Sequence, residues 1–400
     1  MNKSLFTYII LLICAGLISL TTSCQKAAEE HSAPPPPKKL GLLHHDADKA
    51  QKGHYTLVET DLVEVFDMEG ELVSTFPGFL AAISDSNYIM TALDNDGNKL
   101  MMLDTNLNLI WEKELAVHHD IHISPDQNKI FALTSDVQEF KGKRVRFDAI
   151  NCYDRQGNLL FRWSSFENLD EMMEIIKKSP CAPLRVKNAP DSLKEDETYI
   201  SSEPQDYWVK ENNLNVDAGY QIFHQNSVEV LKENSVYEKL PAFKPGNLLV
   251  SFAFFGFIGV MDAETRKFLW TYYHPMCASQ HTPVLLPSGK ILMYRNTWGE
   301  LDYSSAIEID PVSKEITWEY DGPKPKSWKS DHVCITQRLD NGNTLISDVT
   351  YGGHLYEITP EKEIVWEFLY PLADPEGYPL EIYRARRLPI DKIEKFIQAP

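Results

Sequence analysis

Asp310-Pro311-Val312-Ser313-Lys314-Glu315-Ile316-Thr317-Trp318 reads as a polar turn led by aspartate, then an apolar strand ending in an aromatic residue. The pattern occurs five more times. The copies are Asp67-Met68-Glu69-Gly70-Glu71-Leu72-Val73, Asp104-Thr105-Asn106-Leu107-Asn108-Leu109-Ile110-Trp111, Asp154-Arg155-Gln156-Gly157-Asn158-Leu159-Leu160, Asp262-Ala263-Glu264-Thr265-Arg266-Lys267-Phe268-Leu269-Trp270 and Thr359-Pro360-Glu361-Lys362-Glu363-Ile364-Val365-Trp366. Successive starts lie 37, 50, 108, 48 and 49 residues apart. Repeats of about 40–50 residues made of short strands and regular turns imply a β-propeller with one four-stranded blade per repeat. The expected fold is all-β, a six-bladed propeller in which each copy joins the two outer strands of a blade. Ring closure is expected from residues 53–66 and 380–390 together.

The spacing of 108 residues marks an insertion. Phe166 to Lys178 carries apolar residues at helical spacing, with lysines near its end. It opens an excursion over about residues 165–220, expected either to pack against the body as an ornament or to cover the channel.

A second motif places histidines at the start of strands. Gln280-His281-Thr282-Pro283-Val284-Leu285-Leu286-Pro287-Ser288-Gly289 is a histidine, an apolar strand and a tight turn, with Gly289 suited to a positive φ. His119 stands at the same offset before Pro125, and His224 at the matching place in His224-Gln225-Asn226-Ser227-Val228. The offset gives a ring of Phe79, His119, His224, His281, Cys334 and Tyr383, expected to line one mouth of the channel. By the two-residue period of a strand, His118 and His122 should point away from His119 if the strand runs straight through, and His332 should sit one layer above Cys334. Three histidines in one ring suit acid–base catalysis, nucleophilic catalysis or metal ligation. No close-spaced His/Cys pair with ligand spacing supports a metal, so neither a metal nor another cofactor is expected.

The chain of 400 residues is 43% hydrophobic and carries a formal net charge of −19. The acidity argues against a nucleic-acid partner or a polybasic membrane surface. Lys3 and the apolar run Leu5 to Leu20 read as an export leader, too short for a membrane span. Leu20-Thr21-Thr22-Ser23-Cys24 resembles a bacterial lipoprotein cleavage box. The expected division is therefore a leader over 1–23, a flexible tether over 24–50 containing Pro34 to Pro37, and the propeller over 51–400. Lipidation of Cys24 would hold the protein in the bacterial cell envelope, facing the periplasm or the outer surface, with the lipid as its only membrane contact. Export permits disulfides among Cys152, Cys181, Cys277 and Cys334, and the sequence leaves their pairing open.

Taken together, His118-His119-Asp120, His224-Gln225-Asn226-Ser227-Val228, Gln280-His281, Arg338-Leu339-Asp340-Asn341-Gly342-Asn343-Thr344-Leu345-Ile346 and Tyr383-Arg384-Ala385-Arg386-Arg387-Leu388-Pro389 resemble the bacterial arylsulfate sulfotransferases. These are six-bladed enzymes independent of PAPS. The resemblance spans most of residues 55–390. It implies that a channel histidine attacks the sulfuryl group of an aryl sulfate and that the sulfohistidine passes it to a second phenol. His281 matches the nucleophile. His119 and His224 match the histidines that bind sulfate oxygens or move the phenol's proton. His332, Cys334 and Tyr383 are expected to contact this small-molecule substrate. One departure matters: the strand after His-x-Asn-Ser, Leu249-Val250-Ser251-Phe252-Ala253-Phe254-Phe255-Gly256, lacks the family's arginine. Arg295 or Arg384 is expected to supply that cation from another blade. Without one, the chain is a lipid-anchored binding propeller with lost or altered catalysis.

The lipid anchor has a direct test. Wild-type protein should partition with membranes and Cys24→Ser should be released in soluble form; wild-type protein that is soluble after export overturns the lipidation of Cys24.

Overall fold

The structure is a computed structural model describing residues 39–397 other than 87, 94–98, 141, 183–207, 212–213, 218–219, 277, 298–300, 331–332, 349–351, 376 and 378. The leader, Cys24, most of the tether, Cys277 and His332 lie outside the described residues.

Six antiparallel sheets form the blades of a propeller. Their innermost strands are, in ring order, Arg384–Pro389, Leu80–Ile83, Val117–Ile123, Gln225–Val230, Gln280–Leu285 and Ile335–Arg338. Blade 1 is made from both chain ends. Arg384–Pro389 pairs with His54–Glu59, from the Glu59–Arg384 pair to the His54–Pro389 pair, as the ring-closure expectation required. Blade 6 carries a fifth, outer strand, Gly41–His45, paired with Ile364–Leu369. The expected tether over 24–50 is therefore corrected at its end, where backbone hydrogen bonds hold residues 41–45 against the last blade.

The repeated turn residue has a local cause. In each aspartate-led turn the side chain caps backbone N–H groups that no strand can reach. Asp104 Oδ1 accepts from Asn106 N and Asn108 N at 2.8 and 2.9 Å, and Asp154 Oδ1 from Gln156 N and Asn158 N at 2.9 and 2.8 Å. Asp262 and Asp310 do the same. Thr359 Oγ1 accepts from Glu363 N at 3.3 Å. A hydrogen bond from Lys290, with these amides, draws Asp310 down to about 2.

The insertion begins with the helix Leu169–Ile176, which buries Met172, Ile175 and Ile176 against Trp163, Phe147 and Phe255. That stretch is a packed buttress on blades 3 and 4. Its far end returns as Tyr220–Gln221, running parallel to Val145 and Arg146 on a long hairpin of blade 3, Lys129–Phe140 with Lys143–Asp154. Cys152, Cys181 and Cys334 are buried, and no disulfide joins any two of them.

Each innermost strand turns one edge toward the channel. Side chains from adjacent blades satisfy much of it. Ala81 N donates to Glu59, Val228 N to Asp120, Val230 N to His122 Nε2, Leu285 N to Glu229 and Arg387 N to Gln337. Glu59 also receives Arg384 and Arg386 of its own blade, and both guanidiniums reach the Ala81 carbonyl of blade 2. Glu59→Ala would leave Arg386 without its carboxylate, buried Arg384 with Asp120 alone, and Ala81 N unmet. It should cost about 3–5 kcal/mol, read as a lower urea midpoint; an unchanged midpoint overturns this account of closure.

Candidate functional site

Three blades aim a histidine at one mouth of the channel by the same device. Opposite Leu133, three residues of blade 3's inner strand, His118 to Asp120, stand against one. Asn226 is the extra residue in blade 4, and Thr282 with Pro283 stands opposite Met293 in blade 5. Beside these bulges, non-glycine residues sit in left-handed backbone: His119 within its bulge at φ 57°, His224 two residues before Asn226 at 57°, and Thr282 directly after His281 at 46°. Such backbone is strained, and strain gathered where three inner strands begin marks a built site. The bulge also overturns the expectation for His118. The strand does not run straight, and His118 Nδ1 lies 2.8 Å from His119 Nδ1. His122 does point elsewhere, to the edge of blade 4.

The rings converge. His119 lies 4.7 Å from His224 and 6.4 Å from His281, centroid to centroid. One ring nitrogen of each falls within 4.8 Å of the other two. Their Nδ1 atoms face outward to partners. Arg146 donates to Gln221 Oε1 at 2.7 Å, so that atom is an acceptor, and His224 Nδ1, 3.1 Å away, donates to it. Asn296 uses Nδ2 on the Val333 carbonyl, so its Oδ1 accepts from His281 Nδ1 at 2.7 Å. His118 Nε2 approaches Asp148 Oδ1 at 3.5 Å without a hydrogen bond. The acceptors behind His224 and His281 place the proton of each neutral ring on Nδ1.

Burial sets the charge. Desolvation, with repulsion from the neighbouring imidazoles and Arg146, holds His119 well below 6.5. Desolvation and Arg146 do the same to His118. Burial pushes Asp148 up to about 6 against the pull of Arg146. His119 and His118 are therefore neutral at pH 7.

The other ring members divide. Tyr383 contacts His119 at 6.1 Å and Phe79 at 5.9 Å. With Val333, Tyr370, Leu372 and Ile382, and with the carboxylates of Asp61, Glu64 and Glu381, these two line a cavity of about 560 Å³. Cys334, expected to touch substrate, is instead fully buried with its thiol on Ser330 Oγ at 3.2 Å. The expected cations are also committed elsewhere. Arg295 pairs with Glu319 and approaches His274 Nε2 at 3.4 Å. Arg384 pairs with Glu59 and with Asp120 at 2.9 Å, and reaches the His119 carbonyl at 3.5 Å, so it braces the strand beneath the histidines. The positive charge beside the cluster is Arg146, which sequence reading missed because it lies on a hairpin extension outside the repeat. The expected strand over 249–256 ends at Phe252, and Ala253–Phe255 forms a 3-10 turn. Phe252 and Phe255 are core, whereas Phe254 stacks on His224 at 4.7 Å. Gln221 and Asn296 carried no motif.

No protein-family model matches the sequence, and no curated protein does. Among solved structures, a protein of unknown function from Bacteroides caccae is similar at 12% identity over 84% of this chain and 99% of that one, TM-score 0.49. The β-propeller domain of Cps50 (Swd1) from Myceliophteria thermophila is similar at 12% identity over 82% and 85%, TM-score 0.43. The six blades rest on the strand pairings above, not on these likenesses.

The buried imidazoles predict a pH dependence. His118, His119, His122 (down to about 4) and His274 (down to about 3) resist protons that the unfolded chain accepts near 6.5. Their contribution is full above 6.5 and lost as pH falls below it. Asp148 and Glu229, raised by burial to about 6 and about 7, act oppositely but are fewer. The urea midpoint should drop between pH 6.5 and 4. His122→Gln should make that drop shallower by at most about 1.4 kcal/mol per pH unit; an unchanged slope overturns the assignment.

Proposed function

We propose that the channel mouth transfers a sulfuryl group from an aryl sulfate to a phenolic acceptor through a sulfohistidine on His281, independent of PAPS. The observation that carries this reading is the tautomer of His281. Asn296 Oδ1 takes the Nδ1 proton and leaves Nε2 as a lone pair among two further imidazoles. The aromatic cavity flanked by Tyr383 and Phe79 suits the aryl groups of donor and acceptor.

In the first half-reaction the Nε2 lone pair bonds to sulfur and the sulfur–oxygen bond to the aryl group breaks. The phenolate leaves and takes a proton from solvent in the first turnover. The new N–S bond makes the imidazole cationic, and Asn296 steadies it through the Nδ1 proton. In the second half, the acceptor phenol gives its proton to Nε2 of His119 or His224 as its oxygen attacks sulfur and the N–S bond breaks. That imidazolium then releases the proton to solvent, which supplies the proton that each leaving phenolate takes up. Arg146 acts behind it as a positioning residue, fixing Gln221 and through it His224.

The aromatic stack of Phe254 on His224, from the turn that follows the strand lacking arginine, favours a second reading, a propeller that binds aromatic ligands without turnover. In either case we propose that lipid on Cys24 holds the body in the cell envelope.

Purified protein given a chromogenic aryl sulfate and a phenol should release the phenol with ping-pong kinetics. His281→Ala should abolish turnover and the acid-labile adduct. His119→Ala or His224→Ala should slow it roughly 10²–10⁴-fold. Because His119 stays neutral, its acid limb should lie well below pH 6.5. Turnover undiminished in His281→Ala overturns the nucleophile. No turnover, with saturable aromatic binding that His281→Ala weakens, overturns transfer and supports the binding propeller.

A further inference from the structure

Three imidazoles from three blades each bring one ring nitrogen within 4.8 Å of the other two. Each ring is held from behind. Gln221 Oε1 and Asn296 Oδ1 accept from Nδ1 of His224 and His281, and His118 Nδ1 meets Nδ1 of His119 at 2.8 Å. Histidine metal ligands are characteristically held this way, with the distal N–H tied to a carbonyl or carboxylate-backed partner so that ring orientation and tautomer are fixed.

We infer that His119, His224 and His281 form a site for one divalent metal ion of the zinc class, bound through three Nε2 atoms with a fourth position left for water or an anion. The dimensions allow it. Zn–N bonds of about 2.0–2.1 Å in a tetrahedron put ligand nitrogens about 3.4 Å apart. The present limit of 4.8 Å asks for inward motion of about 1.4 Å at most, on rings carried by three separate blades. Imidazole ligands suit zinc or copper better than magnesium or calcium, which take oxygen. Arg146 opposes a cation here, and Asp148, close enough to feel its charge, offsets it. The sequence offered no spacing signal, because the three ligands lie on different repeats at 119, 224 and 281.

The site is the one proposed above for sulfuryl transfer, but the inference does not rest on that reading. The two uses exclude each other: an Nε2 lone pair given to a metal cannot attack sulfur. A loaded site is therefore inactive for transfer through His281.

The test begins with purified protein stripped by a chelator and titrated with Zn²⁺ by calorimetry, with no sulfate ester present. One ion per chain is expected, with Kd of about 1 µM or tighter. His119→Gln, His224→Gln and His281→Gln should each weaken it by at least about 100-fold, and Asn296→Ala by about 10–100-fold. His44→Gln and His45→Gln, on the outer strand of blade 6, should leave it unchanged. Should the site variants fail to fold, the Co²⁺-loaded wild type gives a second reading. Its proton NMR spectrum should contain three strongly shifted exchangeable resonances, one for each Nδ1–H. No uptake, uptake indifferent to all three histidines, or a Co²⁺ form without those resonances overturns the inference. Uptake is read without a sulfuryl donor, so either proposal can fail alone. Transfer that is blocked by one equivalent of Zn²⁺ supports the shared use of His281; transfer undiminished by saturating Zn²⁺ overturns it.

Discussion

The constraint on which the rest depends is the open edge of each innermost strand. A propeller blade pairs its strands outward, so the first strand has hydrogen-bond partners on one side only. The other side faces the channel with N–H and carbonyl groups that need partners. This chain answers with side chains. Glu59, Asp120, His122, Glu229 and Gln337 each accept from a backbone N–H of a neighbouring blade, and Asn226 donates to the Gln280 carbonyl. Adjacent blades are thereby stitched through their innermost strands, and the register of one fixes that of the next.

The same constraint explains the site. Where the inner strands begin, the edge contacts give way to bulges, and the backbone enters left-handed conformations that the surrounding ladders hold in place. Histidines placed there cannot swing, because each Nδ1 has a partner on its own or an adjacent blade. The direction of the three rings is set by the residues behind them. Arg384 serves it from below, bonded to Asp120 and to the carbonyl of His119.

Much of this was legible in the sequence. The turn aspartates were readable because capping is local: an Oδ1 two to four residues from its N–H partners recurs at fixed spacing. The ring positions were readable because the strand start is tied to the same repeat, and closure from both ends followed from the incomplete first blade. The position of His118 was not, since one bulge breaks the two-residue period. Arg146 and Gln221 were not, since they meet at an insertion that no repeat predicts. Arg295 and Arg384 were misread for a further reason. Charge alone does not say whether an arginine faces a ligand or a carboxylate, and Glu319 and Glu59 come from strands that only the folded sheet brings alongside.

The two-ended construction of blade 1 has a consequence for how the molecule comes into being. Glu59 and Arg384 are separated by 325 residues. His54–Glu59 lacks its inner neighbour until Arg384–Pro389 has left the ribosome. The nascent chain therefore carries an unfinished blade while all the intervening blades are made, and pairing strands so far apart is a long-range step of the kind that slows folding. A chain that cannot shut its circle early remains threadable late. For a chain that crosses a membrane before it folds, as proposed for this one, that delay is an asset.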